Sequence, residues 1–279
     1  MKDVSPPSVA ILGPGGVGGL LAATLPNALV VSREPLTEIH LRSRLLGERA
    51  TAVRSVQTLD EPTDVLFIAT KATGLDQAIQ RIETPPATVV PLLNGFEHVA
   101  FLRERFEDVV AATIRVESTR VAPGVIEQTS PFLHIELSAH QEIADLLNVA
   151  GIPATLNENE SQVMWSKLVR LNAIALTTTA YRAPMGDVRD HHKDDLFSVV
   201  RETAAVAQAD GAAIDAEAIE EELDQAHPEL LSSMARDRLA GRPLELDAIG
   251  GAVLRAGARH GIEAPTVRRL VDAIAGELP

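Results

Sequence analysis

An apolar run, Val9-Ala10-Ile11-Leu12, stops at Gly13-Pro14-Gly15-Gly16-Val17-Gly18 and gives way at once to a small-residue helical pattern, Leu20-Leu21-Ala22-Ala23. Strand, glycine turn and helix in that order constrain the fold more than any other stretch of the chain. In a G-x-G-x-x-G turn of this kind Gly13 lets the backbone reverse, Gly15 lets it approach a pyrophosphate, and Gly18 lets helix and strand pack closely. The helix N-terminus adds free N–H groups and the positive end of its dipole. Gly13, Pro14, Gly15, Gly16, Val17 and Gly18 are therefore the expected dinucleotide-binding residues, against the plainer reading of a structural turn.

Charge removes several partner classes. The 279 residues carry 39 acidic and 25 basic side chains, a formal charge of -14, which repels nucleic acid and anionic membrane surfaces. A small anionic substrate needs only local positive groups and stays admissible. The absence of cysteine excludes disulfides, thiolate metal sites and cysteine nucleophiles, and fits a reducing compartment. Residues 8–31 are apolar, but Asp3 and two prolines precede them and glycines interrupt them, so they read as neither signal peptide nor membrane span. The expected location is cytoplasmic.

Ala28 to Val31 reads as a second strand ending at Ser32-Arg33, where a dinucleotide fold meets the adenosine ribose. An acidic residue there suits NAD, whereas an arginine accommodates the extra phosphate of NADP. Ser32 and Arg33 thus favour NADP, with Glu34 counting against it and a solvated surface arginine as the alternative. Asp64 to Thr70 is a near-continuous apolar run, as in a parallel strand buried on both faces, and it ends at Lys71. Thr88 to Leu93 is a further strand, followed by Asn94-Gly95. That pair is either a plain turn or, on the same crevice edge as Lys71, a contact to nicotinamide or substrate. Short β-rich runs between 109 and 137 predict an antiparallel extension of the parallel sheet, with a helix over about 139–149 and a strand near 154–156. From Glu160 the pattern is helical nearly to the end, broken at Pro184, Pro228, Gly241 to Pro243 and Pro265. The expectation is an α/β chain: a Rossmann-type dinucleotide-binding domain over 1–158 and an all-α domain over 159–279, meeting at one cleft.

Lys167 stands alone among apolar neighbours on the helix that starts near Gln162. Such a lysine either snorkels to water or, desolvated, has a lowered pKa and serves as a general acid. Around it the sequence resembles the ketopantoate reductases, or 2-dehydropantoate 2-reductases, of the 6-phosphogluconate-dehydrogenase-like group. The resemblance runs over nearly the whole chain. Its marks are Gly13 to Gly18, Ala69-Thr70-Lys71, Leu93-Asn94-Gly95, Trp165-Ser166-Lys167-Leu168, Pro184-Met185-Gly186, Ser232-Ser233-Met234, Asp237, Gly241-Arg242, Glu245-Leu246-Asp247, Gly251 and His260-Gly261-Ile262.

The resemblance implies NADPH-dependent reduction of a 2-oxo acid, most simply ketopantoate to pantoate in pantothenate and coenzyme A synthesis. It implies that Lys167 is the proton donor, and that Glu245 is a catalytic carboxylate near cofactor and substrate. Lys71 and Asn94 would be cofactor contacts, and Ser233, with Ser232 beside it, would bond the substrate carboxylate. The chain departs from the family at Leu171, Ala175 and Met185, where asparagines usually bind substrate. Asn172 is the remaining polar candidate for a substrate hydroxyl, one residue or roughly 100° of helix away from Leu171. Two other readings therefore stand: a reductase of a more apolar 2-oxo acid on the same scaffold, and an NADP(H)-binding sensor without turnover. Retention of Lys167, Ser233 and Glu245 speaks against the sensor. The expected partners are a small 2-oxo acid and, for self-association, a homodimer. No metal site is expected, because adjacent residues such as His191 and His192 point roughly 100° apart on a helix.

Overall fold

The computed structural model describes residues 6–276; Asp3 and the outermost ends of the two expected domain ranges lie outside the described residues. Two compact units emerge. One takes the chain up to Leu93 together with His98–Glu160, and the other takes Asn94–Glu97 together with the chain from Ser161 onward.

The first unit begins with β1 (Val9–Leu12), α1 (Gly16–Thr24) and β2 (Leu29–Val31). A hairpin of β3 (Glu38–Ser43) and β4 (Gly47–Ala52) follows, then β5 (Arg54–Val56), β6 (Val65–Ile68), α2 (Leu75–Ile79) and β7 (Thr88–Pro91). Strands β1, β2, β5, β6 and β7 form one sheet in the order β5-β2-β1-β6-β7, parallel at every pairing. Counting only its own strands, the sheet runs 3-2-1-4-5, so the strand order reverses between β1 and β6. Ligands of open α/β sheets bind at the carboxyl ends of the strands at such a reversal. The glycine turn after β1 and Thr70-Lys71 after β6 both lie there. Every residue of β1, β6 and β7 is buried, as the unbroken apolar runs predict.

After α3 (Glu97–Arg103) come β8 (Ala112–Arg115), β9 (Ser118–Ala122), β10 (Val125–Gln128), β11 (His134–Leu137), α4 (Gln141–Val149) and β12 (Ala154–Leu156). The antiparallel extension expected over 109–137 does not form. A single bridge, Val89 to Val109, touches the parallel sheet at β7. The strands then divide between a four-stranded sheet, β4-β3-β10-β9, and a three-stranded one, β12-β11-β8. The reason is burial. Strands β3, β10 and β11 alternate buried with partly or fully exposed residues, so each has one face for a core and one for water. Such strands suit a sheet with a solvated side rather than one covered on both faces. The buried side of β10 rests on α1, where a Cβ at Gly19 would come within 2.4 Å of Ile126 Cδ1.

The second unit is helical: α5 (Glu160–Ala180), α6 (Met185–His191), α7 (Lys193–Ala209), α8 (Ala216–Asp224), α9 (Ser233–Leu239), α10 (Ala252–His260) and α11 (Pro265–Gly276). Its core gathers Trp165, Leu168, Val169 and Leu176 of α5 with Val199, Val200, Val253 and Leu270. Helix starts follow the chemistry of caps. Asp215 accepts from the Ala218 N–H and Ser232 from the Ala235 N–H, each satisfying a backbone donor that the helix leaves open. A π-helical turn over Asp247–Gly251 runs directly into α10. No helix among the described residues is long and apolar enough to cross a membrane.

Candidate active site

In the first unit the glycine turn is built as its spacing predicts. Gly13 has φ +91°, and a Cβ at Gly18 would lie 2.2 Å from the Gly13 carbonyl oxygen, so neither position admits a side chain without strain. Gly15 differs. Around it only the Ala69 carbonyl oxygen approaches, at 4.0 Å, so a Cβ there would fill open space at the N-terminus of α1. Beside the turn the Thr70 hydroxyl is buried without a hydrogen-bond partner. Open room, the first N–H groups of a helix and an unpaired buried hydroxyl together fit the phosphates of a dinucleotide. At the end of β2, Ser32 is buried, with its hydroxyl donating to the Glu34 carbonyl, and Arg33 is exposed. Pro14, Gly16 and Val17 are half-buried, and Lys71 is exposed just after Thr70.

In the second unit three sequence-selected residues meet. The Lys167 ammonium on α5 donates to Asn94 Oδ1 at 2.9 Å, and Asn94 Nδ2 donates to Glu245 Oε2 at 3.1 Å. The amide can take only this orientation and keep both bonds, because an ammonium has no acceptor and a carboxylate no donor. A cation and an anion are thus held on opposite sides of one neutral amide. Glu245 is 7% exposed. The backbone behind Asn94 is equally constrained: Gly95 has φ +84°, and a Cβ on it would lie 2.2 Å from the Ala248 carbonyl oxygen in the π-helical turn. Phe96 then packs on Trp165 with ring centroids 4.9 Å apart.

The remaining selected residues fall elsewhere. Ser232 caps α9 and pairs with the Thr178 hydroxyl at 2.8 Å; since Thr178 donates its one proton to the Ile174 carbonyl, Ser232 donates to Thr178. Its proton is engaged inside the unit, whereas Ser233 is exposed at the first position of α9. Asn172 is fully buried and donates to the Thr203 hydroxyl at 2.8 Å, five residues or roughly 140° round α5 from Lys167. His192 stacks on Tyr181 at 3.5 Å. Among the described residues no group of three histidine, aspartate or glutamate side chains is placed to hold a metal ion. Thr178 was missed by reading the sequence, although it stands eleven residues from Lys167, three turns along the same face. Thr70 was noted only as part of a strand end.

The family model described as "Ketopantoate reductase PanE/ApbA" matches residues 9–142, and its C-terminal counterpart matches residues 159–277. The chain belongs to the ketopantoate reductase family. It is accordingly an oxidoreductase acting on CH–OH groups. A curated relative named 2-dehydropantoate 2-reductase, from Caulobacter vibrioides, is 30% identical over 276 residues, covering 92% of this chain and 94% of its own length. In fold, the chain is similar to a dimeric ketopantoate reductase from Staphylococcus aureus, with TM-score 0.86, 21% identity and 96% and 98% of the two chains covered. It is as similar to a D-mandelate dehydrogenase solved with NADH and anilino(oxo)acetate, with TM-score 0.86, 19% identity and 96% and 97% of the two chains covered.

Proposed function

We propose that this protein reduces 2-dehydropantoate to pantoate with NADPH, in the route to pantothenate and coenzyme A. The observation that carries this reading is the Lys167–Asn94–Glu245 series, a cation held by a neutral amide whose other side is fixed by a buried carboxylate. The glycine turn, with the first N–H groups of α1 and the Thr70 hydroxyl, would hold the dinucleotide, which would provide the hydride for the carbonyl carbon. Lys167 gives its proton to the developing alkoxide oxygen, and its positive charge stabilises that oxygen as it forms. Asn94 keeps Nζ aimed, and Glu245 keeps Asn94 from turning. Ser233, exposed at the start of α9, is assigned to the substrate carboxylate. A homodimer, as in the dimeric ketopantoate reductase from Staphylococcus aureus, is the assembly proposed for this chain.

Support for NADPH over NADH comes from Arg33, exposed immediately after β2. Arg33→Ala is expected to weaken NADPH binding roughly tenfold to a hundredfold, the worth of a charge-assisted contact, and to leave NADH binding unchanged. Titration of both dinucleotides checks it; equal losses would remove Arg33 from cofactor choice.

A second reading, a more apolar 2-oxo acid, is favoured by the face of α5 that carries Lys167. Leu171 and Ile174, one and two turns along that face, are apolar and only partly buried. A pocket that hydrogen-bonds a substrate hydroxyl rejects the analogue lacking it by about 10⁴-fold or more. The test is kcat/KM for ketopantoate against 2-oxoisovalerate with NADPH. A preference for ketopantoate on the order of 10³-fold or more upholds the first reading, and one below about tenfold replaces it with the second.

A further inference from the structure

We propose that Arg255 is a positioning residue for the reaction: by clamping Glu97 to Asp247 it fixes the Asn94–Glu245 hydrogen bond that orients Lys167. The inference rests on Lys167 being the proton donor of the function proposed above.

The geometry of the clamp is complete on both sides. Arg255 Nε and Nη2 donate to the two carboxylate oxygens of Glu97 at 3.0 and 2.6 Å, a fork-on-fork pair. The same guanidinium donates through Nη1 to Asp247 Oδ1 at 2.7 Å and through Nη2 to the Asp247 carbonyl at 3.1 Å. Glu97 stands three residues after Asn94, and Asp247 two residues after Glu245. One side chain therefore ties together the two short segments whose side chains form the 3.1 Å bond. Between those anchors Gly95 lies directly on the Ala248 carbonyl, so sliding the 94–97 segment across the π-helical turn would disturb that bond.

The pair is poorly placed to serve stability. Side-chain exposure is 45% for Arg255 and 36% for Glu97, and ion pairs so exposed contribute little to folding. Position is another matter, because a displacement of about 1 Å at a catalytic group costs on the order of a hundredfold in rate. A second cation, Arg259, comes within 3.9 Å of Glu97, so changing Glu97 removes both contacts while changing Arg255 removes only the clamp.

The test uses Arg255→Met, Arg255→Lys, Glu97→Gln and the Glu97→Gln/Arg255→Met double variant of the full chain. Trp165 is the protein's one tryptophan and packs on Phe96 of the clamped segment, so its fluorescence reports where that segment sits without any substrate. Expected for Arg255→Met is a fall in kcat of about tenfold to a hundredfold, with KM for NADPH within about twofold. Acrylamide quenching of Trp165 should rise, and the melting temperature should stay near that of the parent. Arg255→Lys should restore part of kcat, since its ammonium still reaches one carboxylate, and the double variant should be no worse than the poorer single one. The proposal is overturned if Arg255→Met keeps its kcat, if Trp165 quenching is unchanged, or if kcat and melting temperature fall together and lysine restores neither. Rates are compared on whichever 2-oxo acid the parent reduces. A parent inactive on ketopantoate therefore counts against the substrate, whereas an unchanged variant-to-parent ratio or unchanged quenching counts against the clamp.

Discussion

Lys167→Ala is expected to lower turnover by about 10² to 10⁴ while the protein still binds NADPH with nearly its parental affinity. The alkoxide that forms when a hydride reaches a carbonyl needs a positive charge and a proton at the same atom. Lys167 supplies both, and no other lysine lies on α5 to replace it. Binding should survive because the glycine turn, Ser32, Arg33 and Lys71 all belong to the first unit, whereas Lys167 belongs to the second. Single-turnover kinetics at saturating 2-oxo acid, alongside calorimetric titration of NADPH, separates the two effects. A variant that retains more than about a tenth of parental turnover would assign the proton to another group.

For Asn94→Asp the expected result is a loss of about a hundredfold or more in turnover, accompanied by a shift of the pH optimum toward acid. The two side chains are nearly the same size, so the change is one of charge. A carboxylate would meet the Lys167 ammonium as a direct ion pair, which raises the pKa of the lysine and makes it a poorer acid. Its other oxygen would face the Glu245 carboxylate across the space now spanned by a 3.1 Å hydrogen bond. Two carboxylates at that separation cannot both stay ionised comfortably, and one takes up a proton as pH falls. Lower pH therefore relieves the repulsion and returns part of the activity, the opposite of what a simple loss of lysine would give. Asn94→Ala, which removes both contacts without adding charge, should show no such acid-side recovery. Identical pH profiles for the two variants would mean that Asn94 does not stand between the two charges during turnover.

What could be read from the chain alone divides along physical lines. The glycine turn, the parallel strands β1, β6 and β7, and the core-facing α5 each declare themselves within a dozen residues through apolar runs and glycine spacing. The four-stranded sheet does not. Strand β3 offers only Ile39 and Leu41 as buried apolar residues, and its parallel partner β10 comes 85 positions later. Lys167 was legible as an anomaly on an apolar helix. Asn94 and Glu245 were named through the family resemblance, but their bonding to one another and to Lys167 was not legible, because Asn94 is 73 residues from Lys167 and 151 from Glu245. The strand end carrying Asn94 pointed toward Lys71, yet the structure groups Asn94 with Lys167 and Glu245. The Glu97–Arg255 pair, 158 residues apart and half-exposed, leaves no local trace at all. Charge pairs of that kind are chosen by the folded backbone, and an arginine among many on a helix surface gives no hint of its partner.

The membership of Asn94–Glu97 in the helical unit bears on how such chains can be recombined. A hybrid joined near residue 160, the obvious seam between a strand-rich half and a helical half, would inherit these four residues from one parent and Trp165, Glu245, Ala248 and Arg255 from the other. Fitting glycine to carbonyl, phenylalanine to tryptophan and glutamate to arginine would then depend on two lineages having kept the same pairings. The halves of this protein are modules in their secondary structure but not in their heredity: a donor of the C-terminal half must bring positions 94–97 with it.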